Sequence, residues 1–145
     1  MAVDVSTEAV IERPRTQVAA FAGDPSNAPQ WYANIDRIEW RTEPPLRVGS
    51  RMEFVARFLG RQLVYTYEVI EYTPGERLVM RTAEGPFPMQ TTYTWADDGP
   101  DRTRMILRNT GTPSGFGKVA APLMEAAMRR ANRADLARLR ALLEA

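Results

Sequence analysis

The chain has 145 residues, 44% of them apolar and 26% charged, with a formal net charge of +1. That length and composition predict one globular domain able to bury about two-thirds of its unfolded surface, and they exclude disorder. Cysteine and histidine are both absent, which excludes disulfides, thiolate nucleophiles, Cys- or His-ligated zinc, Ser-His-Asp triads and the histidine proton shuttle.

Val3, Val5, Thr7, Ala9 and Ile11 alternate with mostly polar neighbours, the pattern of a half-buried strand. Pro14 stands where a first-turn helix proline belongs, and Val18, Ala19, Phe21 and Ala22 follow at helical spacing up to Gly23. Asp24-Pro25 predicts a second cap and a helix kept short by Pro29. From Ile35 to Thr110 the apolar period is two, predicting strands over 35–42, 50–59, 62–72, 77–84, 88–96 and 102–110. Pro44-Pro45, Gly60-Arg61, Pro74-Gly75, Gly85-Pro86 and Asp98-Gly99-Pro100 punctuate them, and connections this short permit only antiparallel pairing. A long helix over 116–143 closes the chain. Ala120, Leu123, Met124, Ala127, Met128, Ala131 and Ala134 share one face of it, with Lys118, Glu125, Arg129, Arg133 and Arg140 opposite. One strand, two short helices, six strands and a long helix make a single α+β domain over 1–145.

Residues 102–145 carry nine Lys/Arg against three acids, while residues 1–101 carry ten against fifteen. On an amphipathic helix that excess reads as a solvated face rather than a nucleic-acid patch. No apolar run approaches the ~20 residues of a membrane span, and the first residues carry no basic leader. Neither a span nor a signal peptide is expected, and the cytoplasm is the default location.

In a meander, alternate connections lie at one end of the sheet. The turns at Gly60, 85–88 and 111–117 should therefore converge, with Trp31 and Tyr32 beside them. Trp31, Phe87 and Phe116 would gate that rim, since loops on a scaffold are where binding concentrates. One strand phase turns Phe54, Phe58, Tyr65, Tyr67, Met80, Met89, Tyr93, Trp95 and Met105 inward, toward Leu123, Met124 and Ala127 of the helix. Large sheet residues facing an alanine-rich helix either interdigitate into a solid core or enclose a void whose Met-rich wall suits variable apolar ligands. Under the same phase Glu53, Arg57, Arg81, Gln90, Arg108 and Asn109 point mostly to solvent. Asp135 and Arg138, three residues apart near the apolar side of the helix, are expected to pair locally.

Several segments, in this order and spacing, carry a family resemblance. They are Ile11-Glu12-Arg13-Pro14 ahead of Val18 and Phe21, residues 24–31, Val48-Gly49-Ser50-Arg51, residues 67–78 and residues 135–144. Together they resemble the START-like superfamily, also called SRPBCC or Bet v 1-like, nearest its polyketide cyclase/dehydrase branch. The resemblance implies a helix-grip fold: an antiparallel seven-stranded sheet wrapped around a long C-terminal helix, with two short helices after strand 1, around a hydrophobic cavity. It implies a small hydrophobic or aromatic ligand, lipid-, sterol- or polyketide-like, as the partner of a monomer or homodimer, with no universal catalytic motif. No metal, cofactor or nucleic acid is expected. Two alternatives stand beside binding. One is a cyclase driving aldol closure through Tyr65, Tyr67 or Tyr93 with an Arg or water; the other is a chaperone-associated protein-binding module.

Overall fold

The computed structural model describes residues 2–145. Strand β1 (Val3–Ile11) leads to helix α1 (Arg15–Ala22), a 3₁₀ turn (Pro25–Asn27) and the single-turn helix α2 (Ala28–Trp31). Six strands follow: β2 (Ile35–Trp40), β3 (Arg51–Phe58), β4 (Arg61–Thr73), β5 (Arg77–Glu84), β6 (Met89–Asp97) and β7 (Thr103–Gly111). Helix α3 (Ala121–Glu144) ends the chain. Asp24 caps the 3₁₀ turn by accepting the Ser26 N–H at 2.9 Å.

All seven strands form one antiparallel sheet in the order β1-β7-β6-β5-β4-β3-β2. The register slips between Ile35 and Arg37, between Thr66 and Tyr67, and between Val69 and Glu71. Extra residues on one strand bend it and sharpen its twist, so these irregularities curl the β2–β5 half of the sheet. On the convex face outward charges pair across strands, with Arg108 on Asp4 at 2.6 Å and Arg57 on Asp36 at 3.3 Å. Exposed pairs of this kind are worth at most about 1 kcal/mol.

The register also fixes an axis. Val3, Gly111 and Met89 align at one end of the sheet, and Ile11, Thr103 and Asp97 at the other. Helix α3 runs along this axis beside the free edge of β1. The Asp4 N–H donates to Glu125 at 3.0 Å and the Glu12 N–H to Glu144 at 2.8 Å. Both ends of the helix thus occupy edge groups that would otherwise invite another strand.

Two boundaries differ from expectation by more than one residue. β2 stops at Trp40 rather than 42, and α3 begins at Ala121 rather than 116. Gly115 and Gly117 take φ of +83° and +68°, left-handed backbone that cannot continue a helix, and Pro122 then occupies the first turn. The later start leaves 112–120 as a loop over one end of the sheet. Among the described residues no helix is long and apolar enough to cross a membrane.

Gly111 sits where β7 meets the start of β6. A Cβ there would lie 2.6 Å from the Pro88 carbonyl oxygen and 3.2 Å from Met89 Cα, and backbone cannot yield as a side chain can. Gly111→Ala should lower stability by about 1–3 kcal/mol, read as a fall in the urea midpoint. An unchanged midpoint would contradict this close approach.

Candidate functional site

The two halves of α3 bring different side chains to the sheet. Leu136, Leu139 and Leu143 are buried in its second half, in the same core as Ile11, Val18, Trp95 and Met105. The first half offers Met124, Met128, Ala131 and Asn132, spaced i, i+4, i+7 and i+8 and so on one helical face. Two flexible methionines, an alanine and an asparagine here line a cavity between helix and sheet. It has about 120 Å³ free for the centres of water-sized spheres, roughly eight to twelve times what one water requires.

The sheet supplies the opposite wall through alternate residues: Phe54, Ala56 and Phe58 of β3, Leu63, Tyr65 and Tyr67 of β4, Met80 of β5, and Met89, Thr91 and Tyr93 of β6. At one end Phe116 lies edge-on to Phe58 and Phe87, with ring centroids 5.9 and 5.8 Å apart. The Arg61 guanidinium rests 5.3 Å from the Phe116 ring and 6.0 Å from that of Phe87, and donates to the Ser114 carbonyl. The three connections expected to converge therefore do so, with a cation stacked over the aromatic pair.

Polar atoms in the wall form two groups. The Tyr67 and Thr91 hydroxyls are 2.8 Å apart, and Thr91 donates to Asn109 Oδ1 at 2.7 Å. Since that carboxamide oxygen only accepts, Tyr67 must donate to Thr91. On the α2 side the Tyr32 and Tyr93 hydroxyls are 2.6 Å apart. Asn34 and Asn132 also line the cavity, and Asn34 Oδ1 and Asn132 Nδ2 are buried without a partner.

Burial pushes the phenols upward: Tyr67 to about 12, and Tyr32, Tyr65 and Tyr93 well above their ordinary value. All four are neutral at pH 7, able to donate protons and poorly able to take them. Among the described residues the cavity lining contains no Lys, Arg, Asp or Glu. The nearest buried charge is Asp135, 3% exposed, whose Oδ1 accepts the Ala33 N–H at 3.0 Å. Burial raises Asp135 to about 6, against the pull of the Ala33 N–H and of Arg138.

Of the residues expected to line a cavity, Phe54, Phe58, Tyr65, Tyr67, Met80, Met89, Tyr93 and Met124 stand in its wall, with Phe87 and Phe116 at the mouth. Five stand elsewhere. Trp95 and Met105 pair with each other toward the closed end of the sheet, where leucines fill the space. Leu123 is 68% exposed because it lies about 100° around the helix from Met124. Ala127 is half-buried beside the wall without lining it. Trp31 is fully buried beneath Tyr32 and Tyr93, at 4.2 and 5.8 Å, as core rather than gate. Asp135 holds the segment before β2 instead of pairing with an exposed Arg138.

Asn109 faces inward rather than to solvent, in phase with Met105 and Leu107, and the same alternation marks Thr91. Asn132 is legible as the i+8 partner of Met124. Arg61 carries no such signal, because its position depends on three loops meeting.

Asp135 sets a pH dependence. Its folded value near 6 exceeds the ~3.9 of an unfolded Asp. Its contribution is therefore fully present below pH 4 and lost as pH rises through 6, a change of roughly 2–3 kcal/mol. Asn at this position keeps an acceptor for the Ala33 N–H without the charge. The stability of Asp135→Asn relative to the unsubstituted protein should thus rise by about that amount between pH 4 and 7.5 in urea titrations. A constant difference would place the carboxyl in water.

Residues 2–144 match the family model described as "Polyketide cyclase / dehydrase and lipid transport". The chain is similar in fold to the Zhui aromatase/cyclase from Streptomyces sp. R1128, with a TM-score of 0.82 and 16% identity over 99% of this chain and 94% of that one. It is also similar to a START superfamily protein from Mycobacterium smegmatis, with a TM-score of 0.84 and 15% identity over 97% of each chain. The major latex-like protein 151 of Panax ginseng aligns with a TM-score of 0.70 and 12% identity over 95% of this chain and 98% of that one. No curated protein matches. At these identities the likenesses establish the helix-grip fold and nothing of ligand or reaction.

Proposed function

The chain belongs to the polyketide cyclase/dehydrase and lipid transport family, and from that premise we propose that it binds a small hydrophobic or aromatic molecule in the cavity between the sheet and α3. The observation that carries this reading is the cavity itself, walled by aromatic and Met side chains with no charged group in the lining. Burying roughly 250 Å² of ligand surface at about 25 cal/mol per Å² yields about 6 kcal/mol, a Kd in the tens of micromolar before ordering costs. Met80, Met89, Met124 and Met128 adapt to ligand shape at little cost.

A second reading, aldol cyclisation of a poly-β-ketone, is favoured by the hydrogen-bonded chain from Tyr67 through Thr91 to Asn109. Ring closure needs a base to form the enolate and an acid to protonate the new alkoxide. The neutral phenols supply the acid. Among the described residues no side chain in the wall is a competent base at pH 7, and for that reason binding is the leading reading.

Filling the cavity separates occupancy from surface adsorption. The Ala131→Phe variant, which projects a ring from α3 into the void, should abolish saturable binding of 1-anilinonaphthalene while the protein stays folded by circular dichroism. Undiminished binding in that variant, or none in the unsubstituted protein, would defeat the binding reading. Under the cyclase reading Tyr67→Phe should lose turnover of a poly-β-ketone at least tenfold while retaining its binding. Under the binding reading the unsubstituted protein leaves the ketone unchanged by mass spectrometry.

A further inference from the structure

Resting on the binding reading, we propose that Asn132 and Asn34 form a hydrogen-bonding subsite that selects an uncharged, hydroxyl-bearing ligand, a phenol or alcohol on an apolar body. Asn132 is 6% exposed and projects from the buried face of α3. Among the described residues its Nδ2 has no hydrogen-bond partner, and neither has Asn34 Oδ1. A buried donor or acceptor that no protein group answers has to be met by water or by a ligand, so two of them in a cavity wall mark a polar subsite. Two further orphaned atoms, the indole nitrogens of Trp31 and Trp95, belong to side chains outside the cavity lining, where a ligand has no access. Asn132 and Asn34 both line the cavity.

The two amides flank one hydrogen-bonded contact. The Ala33 N–H to Asp135 hydrogen bond of 3.0 Å clamps the segment before β2 onto α3. Asn34 follows Ala33, and Asn132 precedes Asp135 by three residues on the same helical face. One amide presents a donor and the other an acceptor. A hydroxyl is the smallest group that answers both, because it accepts and donates through one oxygen. A ketone leaves Asn34 unpaired and an ammonium leaves Asn132 unpaired. A carboxylate meets no cation in the wall and lies on the same side as Asp135. Arg61, the cation closest to the mouth aromatics, is held there by Phe87, Phe116 and the Ser114 carbonyl.

The test compares naphthalene, 2-naphthol and 2-naphthoate, three probes of one shape, titrated calorimetrically at pH 7. The unsubstituted protein should bind 2-naphthol about fivefold more tightly than naphthalene, and 2-naphthoate at least tenfold more weakly than 2-naphthol. In Asn132→Leu, and separately in Asn34→Ala, 2-naphthol should fall to within twofold of naphthalene while naphthalene itself changes less than twofold. Asn34→Ala keeps the test intact should the helix substitution fail to fold. Equal binding of naphthalene and 2-naphthol, or a hydroxyl preference that survives in the folded variants, overturns the subsite and leaves the cavity reading standing. Binding of none of the three overturns both.

Discussion

A single helix covers the concave face of a sheet that register slips curl around it, and the side chains it brings are leucines at one end and methionine, alanine and asparagine at the other. Leu136, Leu139 and Leu143 complete the core near Ile11 and Met105, whereas Met124, Met128, Ala131 and Asn132 stop short of Phe54, Tyr65 and Met80. The helix cannot drop to close the difference. Its ends are tied to the edge of β1 through Glu125 and Glu144, and its middle to the segment before β2 through Asp135. Close packing at one end therefore holds open a void at the other.

That void is chemically uneven. Most of its surface is ring and thioether, yet it retains phenols that burial keeps protonated and two carboxamides with unanswered atoms. An apolar cavity stabilises a ligand through the area it removes from water, while a few polar groups fix how the ligand sits. Asp135 pays for geometry in a similar way: its carboxyl is desolvated to hold a backbone N–H, and that bond positions the wall that carries Asn34 and Tyr32.

The sheet order and the helix over it are readable from alternation, because a period of two leaves each strand only one face to bury and short connections leave neighbours only one way to pair. The convergence of the turns at Gly60, 85–88 and 111–117 follows from the same count. Trp95 and Met105 share the phase of Tyr93 but differ in depth along the axis, which periodicity does not encode. Leu123 is apolar beside Met124, and only the packing of α3 on the sheet fixes which of the two faces inward. Asn132 and Asp135 are polar residues on a buried stripe. Their positions are visible on a helical wheel, but their partners, or lack of them, depend on the loop before β2. Arg61 is placed by the meeting of three loops, a tertiary fact without a local signature.

Room inside the molecule is the claim on which ligand, subsite and chemistry all stand. A crystal of the protein pressurised with xenon tests it most directly, since apolar cavities take up the gas without polar contacts. Ordered xenon between Tyr65, Met80 and Met128, beneath Phe116, is the expected result. Density showing Met124, Met128 and Phe116 folded into that space, with no xenon bound, would contradict it.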